Sequence, residues 1–253
     1  MRPQPEWLIT DDFSDNDLGA LKTGKEAEVF LVERVNGARS CLLAHKRYRP
    51  RDVAKGELQE LGFTRATAFA RDDIYREGKK LSPKAHRERR AMAKRTAFGR
   101  TLLAASWTGH EFDVMERLWN AGVDVPYPVS PTHDGFLMQF VGDRNGAAPR
   151  LAQARLDRSA TTDAFAQLVD NLVVLMREGV VHADLSPYNM LWWEGRLWLI
   201  DFPQAVDQAH SPHFLDLLHR DLVNVCTWFT RRGLVGADPD VLFGTLLSEL
   251  TLQ

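Results

Sequence analysis

The stretch VVHADLSPYNMLWWEGRLWLIDFPQ, in the last third of the chain, constrains the fold and the chemistry more than any other segment. Two short apolar runs, residues 180–181 and 197–200, each lead into an aspartate, Asp184 and Asp201, and Asn189 lies between the two. Carboxylates and amides at the ends of buried segments are costly unless they have partners. The pattern therefore predicts a cation or a reacting hydroxyl group at this place in the fold.

Composition restricts the class of protein. With 253 residues, of which 44% are hydrophobic and 26% charged, the chain can bury a large core in one large domain or two smaller lobes. The formal net charge of -2 does not by itself demand nucleic acid or an anionic membrane. The two cysteines cannot form a framework of several disulfides, the amino terminus has no signal-peptide pattern, and no apolar run reaches the ~20 residues of a membrane span. We expect a cytoplasmic protein without a membrane segment.

The first half of the chain has the pattern of an antiparallel sheet with one helix. Predicted strands cover residues 27–35, 40–47, 125–129 and 135–140, and a helix is predicted at residues 107–121. Asn36 and Gly37 form a hairpin turn signal between the first two strands. Residues 1–141 are therefore predicted to be an N-terminal lobe.

The second half is predicted to be mostly helical. Amphipathic patterns indicate helices at residues 161–178, 214–231 and 239–252, after a polar, glycine-containing stretch at residues 142–149. Residues 142–253 are predicted to be a C-terminal lobe. The fold class that follows from both halves is α+β.

Residues 71–100 form a basic insertion in the first half. They contain eleven lysines and arginines against four carboxylates, a local net charge of +7. One interpretation is a solvated helix or loop, because charge runs are usually exposed surface. The other is a docking segment for RNA or an acidic partner, since a basic cluster on a nearly neutral protein creates a local electrostatic footprint.

The spacing of Asp184, Asn189 and Asp201 suits phosphoryl transfer. One aspartate can orient or deprotonate an acceptor hydroxyl, while the asparagine and the other aspartate hold Mg²⁺ or Mn²⁺ against the phosphates of ATP. Such a site also needs a lysine late on a strand and a glutamate on a helix, which Lys46 and Glu111 provide. The alternative is that the three polar residues serve only as turn and cap residues.

Four ordered motifs resemble those of the RIO family of atypical protein kinases. They are TGKEAEVFLV at residues 23–32, LMQFVG followed by APRL at 137–151, HADLSPYNML at 182–191 and IDFPQ at 200–204. The resemblance implies a two-lobed, protein-kinase-like fold with an antiparallel N-lobe sheet plus a helix and a mostly helical C-lobe. It also implies that Asp184 is the catalytic base, that Asn189 and Asp201 bind magnesium, and that Lys46 pairs with Glu111.

The same resemblance implies where the phosphates of ATP bind. Thr23, Gly24 and Lys25 would contact them through the backbone and side chains of the loop, which has no G-x-G-x-x-G pattern. In the family the metal-loop aspartate can itself become phosphorylated. Asp201 is therefore expected to be a second catalytic residue as well as a metal ligand.

The adenine end of the site is also implied by the resemblance. Gln139 and Val141 would offer backbone groups to the base, behind Met138 as gatekeeper. No A-P-E segment follows Asp201, so the chain lacks the activation segment and the peptide-docking platform of ordinary protein kinases. This makes efficient phosphorylation of free peptides doubtful.

The predicted activity is transfer of the γ-phosphoryl group of ATP to a serine or threonine hydroxyl, including one of its own, or slow ATP hydrolysis through an aspartyl phosphate. One alternative is a small-molecule kinase of the aminoglycoside phosphotransferase type, which has an H-x-D loop with asparagine at the same spacing. Another is an ATP-gated module that docks on ribosomal RNA or an assembly partner through residues 71–100. The physiological substrate does not follow from the sequence.

Overall fold

A computed structural model describes residues 2–24, 27–48 and 97–250. Its largest sheet has five antiparallel strands in the order β1-β2-β3-β5-β4. The strands are β1 (Ser14–Thr23), β2 (Ala27–Asn36), β3 (Arg39–Tyr48), β4 (Pro128–Pro131) and β5 (Gly135–Gln139). The basic segment at residues 71–96 and Lys25 lie outside the described residues, so the predictions about them stay predictions.

The β2–β3 hairpin confirms the predicted turn. Its ladder closes at the pair Asn36 and Arg39, so the loop consists of Gly37 and Ala38. Gly37 has a φ of 58°, which a residue without a Cβ adopts at little cost. The alternating pattern that follows turns Ala44, Lys46 and Tyr48 to one face of the sheet.

The outer strand β1 was not predicted. Its sequence SDNDLGALKT is polar, lacks clean alternation and is exposed throughout, so it carries no strand pattern. Pairing with β2 makes it a strand, with register irregularities at 17/19 and 20/22. The prediction that the sheet opens at residue 27 was therefore wrong by one strand, because tertiary pairing overrides a weak local preference.

The helix α1 (Ala97–Ala121) packs against the sheet through buried Met115 and Leu118 and ends at Gly122, whose φ is 100°. It begins ten residues before the predicted start at 107. The next strand, β4, starts three residues later than predicted.

Short strands and three helices form the rest of the molecule. They are β6 (Gly142–Asp143), β7 (Gly146–Ala147), α2 (Arg158–Arg177), β8 (Val180–Val181), β9 (Met190–Trp193), β10 (Arg196–Leu199), β11 (Val206–Asp207), α3 (Phe214–Arg231) and α4 (Pro239–Leu250). Asp157 caps α2 by accepting the Ala160 N–H at 2.8 Å. The predicted α+β, two-lobed fold is confirmed, while its division at residues 141 and 142 stays a prediction.

The core joins both parts of the molecule. The main apolar cluster runs from Met115 on α1 through Leu172 on α2 and Val225 on α3 to Met190 on β9. A smaller cluster covers the opposite face of the five-stranded sheet, where the amino-terminal Ile9 packs against it. No helix in the described ranges has the length and apolarity needed to cross a bilayer.

Candidate active site

Lys46 is the centre of a buried ionic cluster. Its Nζ lies 2.7 and 2.8 Å from the two carboxylate oxygens of Glu111 and 2.7 Å from Oδ1 of Asp201. Strand β3, helix α1 and the segment after β10 each contribute one of these residues. The structure therefore brings together three predicted site residues that are up to 155 positions apart in the chain.

Glu111 has two further donors. The hydroxyl of Tyr48 donates to its Oε2, and the main-chain N–H of Phe202 donates to Oε1 at 3.0 Å. Tyr48 follows Lys46 by two positions on β3, so both side chains point to the same face. The sequence analysis missed Tyr48, although this i, i+2 relationship was visible. A fully buried carboxylate is thus held by three residues from two sides of the cleft.

Lys46 and Asp201 each stabilise the charged form of the other. Burial opposes the charge on Lys46, but Glu111 and Asp201 outweigh it and raise the pKa of the ammonium, which stays charged. Burial also disfavours ionised Asp201, yet the charge and hydrogen bond of Lys46 hold its pKa below the usual range. Burial raises the pKa of Glu111, and Lys46 offsets this only in part.

Asp184 and Asn189 form the second half of the site. The amide Nδ2 of Asn189 donates to the main-chain oxygen of Asp184 at 2.8 Å and to its Oδ2 at 3.1 Å. Asn189 is buried, whereas Asp184 is exposed to the cleft. Because Nδ2 is used in this way, Oδ1 of Asn189 remains free to accept a ligand.

The β9–β10 hairpin places Asp201 beside Asn189. Leu199 pairs with Met190 in the ladder, and the N–H of Ile200 donates to the carbonyl oxygen of Asn189 at 3.0 Å. Each end of the hairpin therefore carries one side chain whose oxygen could bind a cation. Oxygen ligands of this type fit a hard cation such as Mg²⁺ or Mn²⁺. Among the described residues no group of three or more His, Cys, Asp or Glu side chains is placed to hold a metal ion.

Two residues of the site have a left-handed backbone. Ala183 has a φ of 61° and Asp201 a φ of 73°. Such conformations cost energy for residues with a Cβ and are maintained only where surrounding contacts impose them. Ala183 directly precedes Asp184, and Asp201 is itself a residue of the site. The left-handed backbone therefore occurs at both aspartates.

Buried polar residues support the predicted catalytic loop, residues 182–191. The ring of His182 bonds the carbonyl oxygen of Ile200 at 3.1 Å and packs on Phe202 with centroids 4.5 Å apart. Burial lowers the pKa of His182, which is thus neutral and structural. On α3, Oδ1 of Asp221 accepts the Leu185 N–H at 3.1 Å. Sequence reasoning missed Asp221, whose signal was a carboxylate on the apolar face of a helix.

Burial raises the pKa of Asp221 to about 7, opposed by the charge of Arg220 and by hydrogen bonds from the Leu185 and Ala183 amides. Arg220 in turn donates to the carbonyl oxygen of Ala183, directly before Asp184. Two residues of α3, Asp221 and Arg220, thus bond the main chain of the loop at Leu185 and Ala183.

The predicted hinge, residues 137–142, keeps specific backbone groups free. The N–H of Gln139 donates to Tyr127 at 2.8 Å, and the carbonyl oxygen of Val141 accepts the Ala148 N–H at 2.9 Å. Among the described residues nothing uses the N–H of Val141, so this is the group that a base could reach. Met138 pairs with Ala44 and lies on the same face of the sheet as Lys46.

Gly24, directly after β1, lies in a tight turn. Gly24 donates its N–H to the carbonyl oxygen of Ala27 at 2.9 Å, and a Cβ on Gly24 would lie 2.9 Å from that same oxygen. Only glycine fits this tight turn without a shift. Thr23 precedes it as the last residue of β1.

Comparison with known proteins identifies the family. A family model described as "RIO domain" matches residues 71–242, more than half of the chain. The chain belongs to the RIO family. The resemblance seen in its motifs is thereby confirmed. The matched range contains Glu111, the hinge, the catalytic loop and Asp201, whereas Lys46 and the Gly24 loop lie before it.

Three relatives, one from mouse and two from archaea, illustrate the similarity. The mouse "Serine/threonine-protein kinase RIO3" is 37% identical over 132 residues, which is 52% of this chain and 25% of that protein. The "RIO-type serine/threonine-protein kinase Rio1" of Haloferax volcanii is 37% identical over 138 residues, 54% of this chain and 46% of the relative. That of Thermoplasma acidophilum is 34% identical over 134 residues, 53% of this chain and 68% of the relative. The chain spans about a quarter of the length of the RIO3 relatives it matches.

Proposed function

We propose that this RIO-family chain is an atypical serine/threonine kinase that uses ATP with Mg²⁺ or Mn²⁺. The observation that carries the proposal is the contact of Lys46 with both Glu111 and Asp201, opposite the Asn189–Asp184 pair. Phosphoryl transfer by kinases requires three parts. They are a lysine held by a helix glutamate, an aspartate that binds the metal, and a second aspartate that lies near an asparagine on the same loop.

In this proposal each residue has one task. Lys46 positions the phosphates, and Glu111 fixes Lys46 through its own four hydrogen bonds. Asp184, exposed to the cleft, orients the acceptor hydroxyl and accepts its proton as the phosphoryl group transfers. Oδ1 of Asn189 and the free oxygen of Asp201 would hold the divalent cation, which when bound would neutralise phosphate charge.

The adenine base would lie against the hinge. The free N–H of Val141 offers a hydrogen bond, and the side chain of Met138 stands behind it on the sheet face. Thr23, Gly24 and Lys25 are proposed to contact the phosphates from above.

The mouth of the cleft argues against a cationic acceptor. A small-molecule kinase of the aminoglycoside type would need carboxylates there to hold its substrate. Lys22 and Arg150, which both act electrostatically at this mouth, are instead cations. These two positive charges would repel a cationic acceptor but not a neutral hydroxyl group.

Incubation of the purified chain with γ-labelled ATP and magnesium, followed by mass spectrometry, tests the proposal. We expect phosphate on a serine or threonine of the chain itself, absent in the Asp184→Asn variant. Phosphate on Asp201 alone, labile to hydroxylamine, would instead assign the chain as an ATPase with an aspartyl intermediate. No labelled residue and no release of phosphate would contradict the proposal, and salt-sensitive RNA binding that survives Asp184→Asn would favour a docking module.

A further inference from the structure

Lys22 lies in the same row of the sheet as Lys46. Lys22 on β1 pairs with Val29 on β2, and Val29 pairs with Lys46 on β3. Directly paired residues of neighbouring strands project to the same face. The side chains of both lysines therefore point into the cleft, with main chains two strand spacings, roughly 10 Å, apart.

The two lysines differ in their partners. Lys46 has two carboxylates at 2.7 Å, whereas Lys22 has no carboxylate within 4.0 Å among the described residues. Lys22 is also exposed, so its ammonium is free to meet a ligand. Lys22 is therefore a cation without an ion pair among the described residues, two residues before the tight turn at Gly24.

Arg150 supplies a second cation from the opposite wall. It pairs with Leu191 in an isolated bridge, and the next residue, Leu151, donates its N–H to Met190 at 2.9 Å. These bonds fix Arg150 beside the segment that carries Asn189. Arg150 also has no carboxylate partner within 4.0 Å in the described part of the chain.

The electrostatics agree that these groups share one space. Partial shielding from water, the charge of Arg150 and the charge of Lys46 lower the pKa of Lys22, whereas the charge of Asp201 raises it. The ammonium of Lys22 thus lies where the field of Arg150 and that of the Lys46–Asp201 pair overlap. Positive charge gathered without a carboxylate is stabilised when an anion binds.

We propose that Lys22 and Arg150 clamp the terminal phosphate of the nucleotide between the two walls of the cleft. The inference rests on the proposed function and extends it, because it adds two binding residues that none of the sequence motifs identified. The anion is assigned as a phosphate because Lys22 lies in the same row of the sheet as Lys46, the residue proposed to position the phosphates. Charge-assisted contacts to phosphate are the strong class of hydrogen bond.

Nucleotide affinities separate this clamp from a general effect of charge. Calorimetric titration of the full chain in magnesium would compare a non-hydrolysable ATP analogue, ADP and adenosine. We expect Lys22→Met and Arg150→Met each to raise the Kd of the triphosphate about 10-fold or more, that of ADP less than about 3-fold, and that of adenosine not at all. Lys22→Arg should retain most of the triphosphate affinity. The matched control is Arg155→Met, which removes an exposed charge from the same segment and should change none of the three values.

Several outcomes would overturn the clamp. Equal weakening of all three ligands, or the same change in Arg155→Met, would assign the effect to structure or to long-range charge. Unchanged triphosphate affinity with a raised KM for an acidic acceptor would move the two cations to the acceptor side. Triphosphate binding that is lost in Lys46→Ala but unaffected by Lys22→Met would sink this inference and leave the proposed function standing, whereas absence of nucleotide binding by the wild type would end both.

Discussion

The hydroxyl of Tyr48 donates to Oε2 of Glu111, the same carboxylate that holds Lys46. Strand β3 therefore contributes two donors, two positions apart, to one glutamate of α1. Because Phe202 adds a third from the segment after Asp201, the position of α1 is coupled to both walls of the cleft. Loss of any one donor would therefore alter the position of Glu111 and the hydrogen bonds of the other two donors.

Tyr48→Phe removes a donor to a buried carboxylate. We expect the free energy of unfolding to fall by about 2 kcal/mol, as for other hydrogen bonds to buried charged groups, and phosphoryl transfer to fall with it. Urea unfolding and the labelling assay would measure these effects. Tyr127→Phe is the matched control, since the Tyr127 hydroxyl bonds no residue in the described ranges, and its change should stay within about 0.5 kcal/mol. Equal losses in the two variants would show that the hydroxyl of Tyr48 does not support Glu111.

Lys46→Ala tests the central cation. It should lower phosphoryl transfer by ~100-fold or more, because a preorganised charge at the phosphates is lost. Arg39→Ala on the same strand is the control, since Arg39 is exposed at the far end of β3 and, within the described ranges, forms an ion pair only with Asp11. Turnover that is unchanged in Lys46→Ala would remove this residue from the site.

Metal removal addresses the oxygen ligands Asn189 and Asp201. Excess chelator should abolish labelling, and added Mg²⁺ or Mn²⁺ should restore it, because hard oxygen donors and phosphates prefer these cations to Zn²⁺ or Cu²⁺. The readout is both phosphate incorporation and the Kd of ATP. Activity that persists in chelator would reject a metal site at this hairpin.

The raised pKa of Asp221 predicts a pH dependence of stability. The pKa of aspartate is 3.8 in the unfolded chain, and that of native Asp221 is about 7. Between these two pH values the native state therefore binds more protons than the unfolded state. Its contribution to stability is complete below pH 3.8 and is lost as the pH rises through about 7. From pH 5 to 7 the wild type should lose stability relative to Asp221→Asn by as much as about 1.4 kcal/mol per pH unit. Parallel curves for the two proteins in urea unfolding would contradict this.

Local patterns could predict much of the fold but not the contacts between distant elements. The run CLLAHK revealed β3 and its late lysine, and the alternation of turn and apolar residues revealed the β9–β10 hairpin. Strand β1 escaped prediction because its residues are polar and it exists only by pairing with β2. Lys22 escaped for the same reason, since its direction depends on the register with Val29. Tyr48 and Asp221 are recognisable only once strand and helix are packed.

The two aspartates of the site should respond differently to the same substitution. Asp184→Asn should abolish transfer to a hydroxyl and leave binding of ATP with magnesium largely intact, because an amide keeps the shape but loses the proton-accepting charge. Asp201→Asn should instead weaken metal-dependent nucleotide binding, since it removes a charged ligand and the partner of Lys46 at 2.7 Å. Calorimetry with and without magnesium, beside the labelling assay, separates the effects.

A chemical probe adds an independent test of Asp201. If this carboxylate also accepts the phosphoryl group, the wild type should carry a hydroxylamine-labile phosphate that disappears in Asp201→Asn. Its side chain is 39% exposed and only Oδ1 is bound to Lys46, so the second oxygen is accessible to the transferred group. Equal loss of nucleotide affinity in both aspartate variants would show that the two roles are divided wrongly. Wild-type behaviour of both variants would show that Asp184 and Asp201 serve only as turn and cap residues. The left-handed backbone at Asp201 would then have a role in the fold alone.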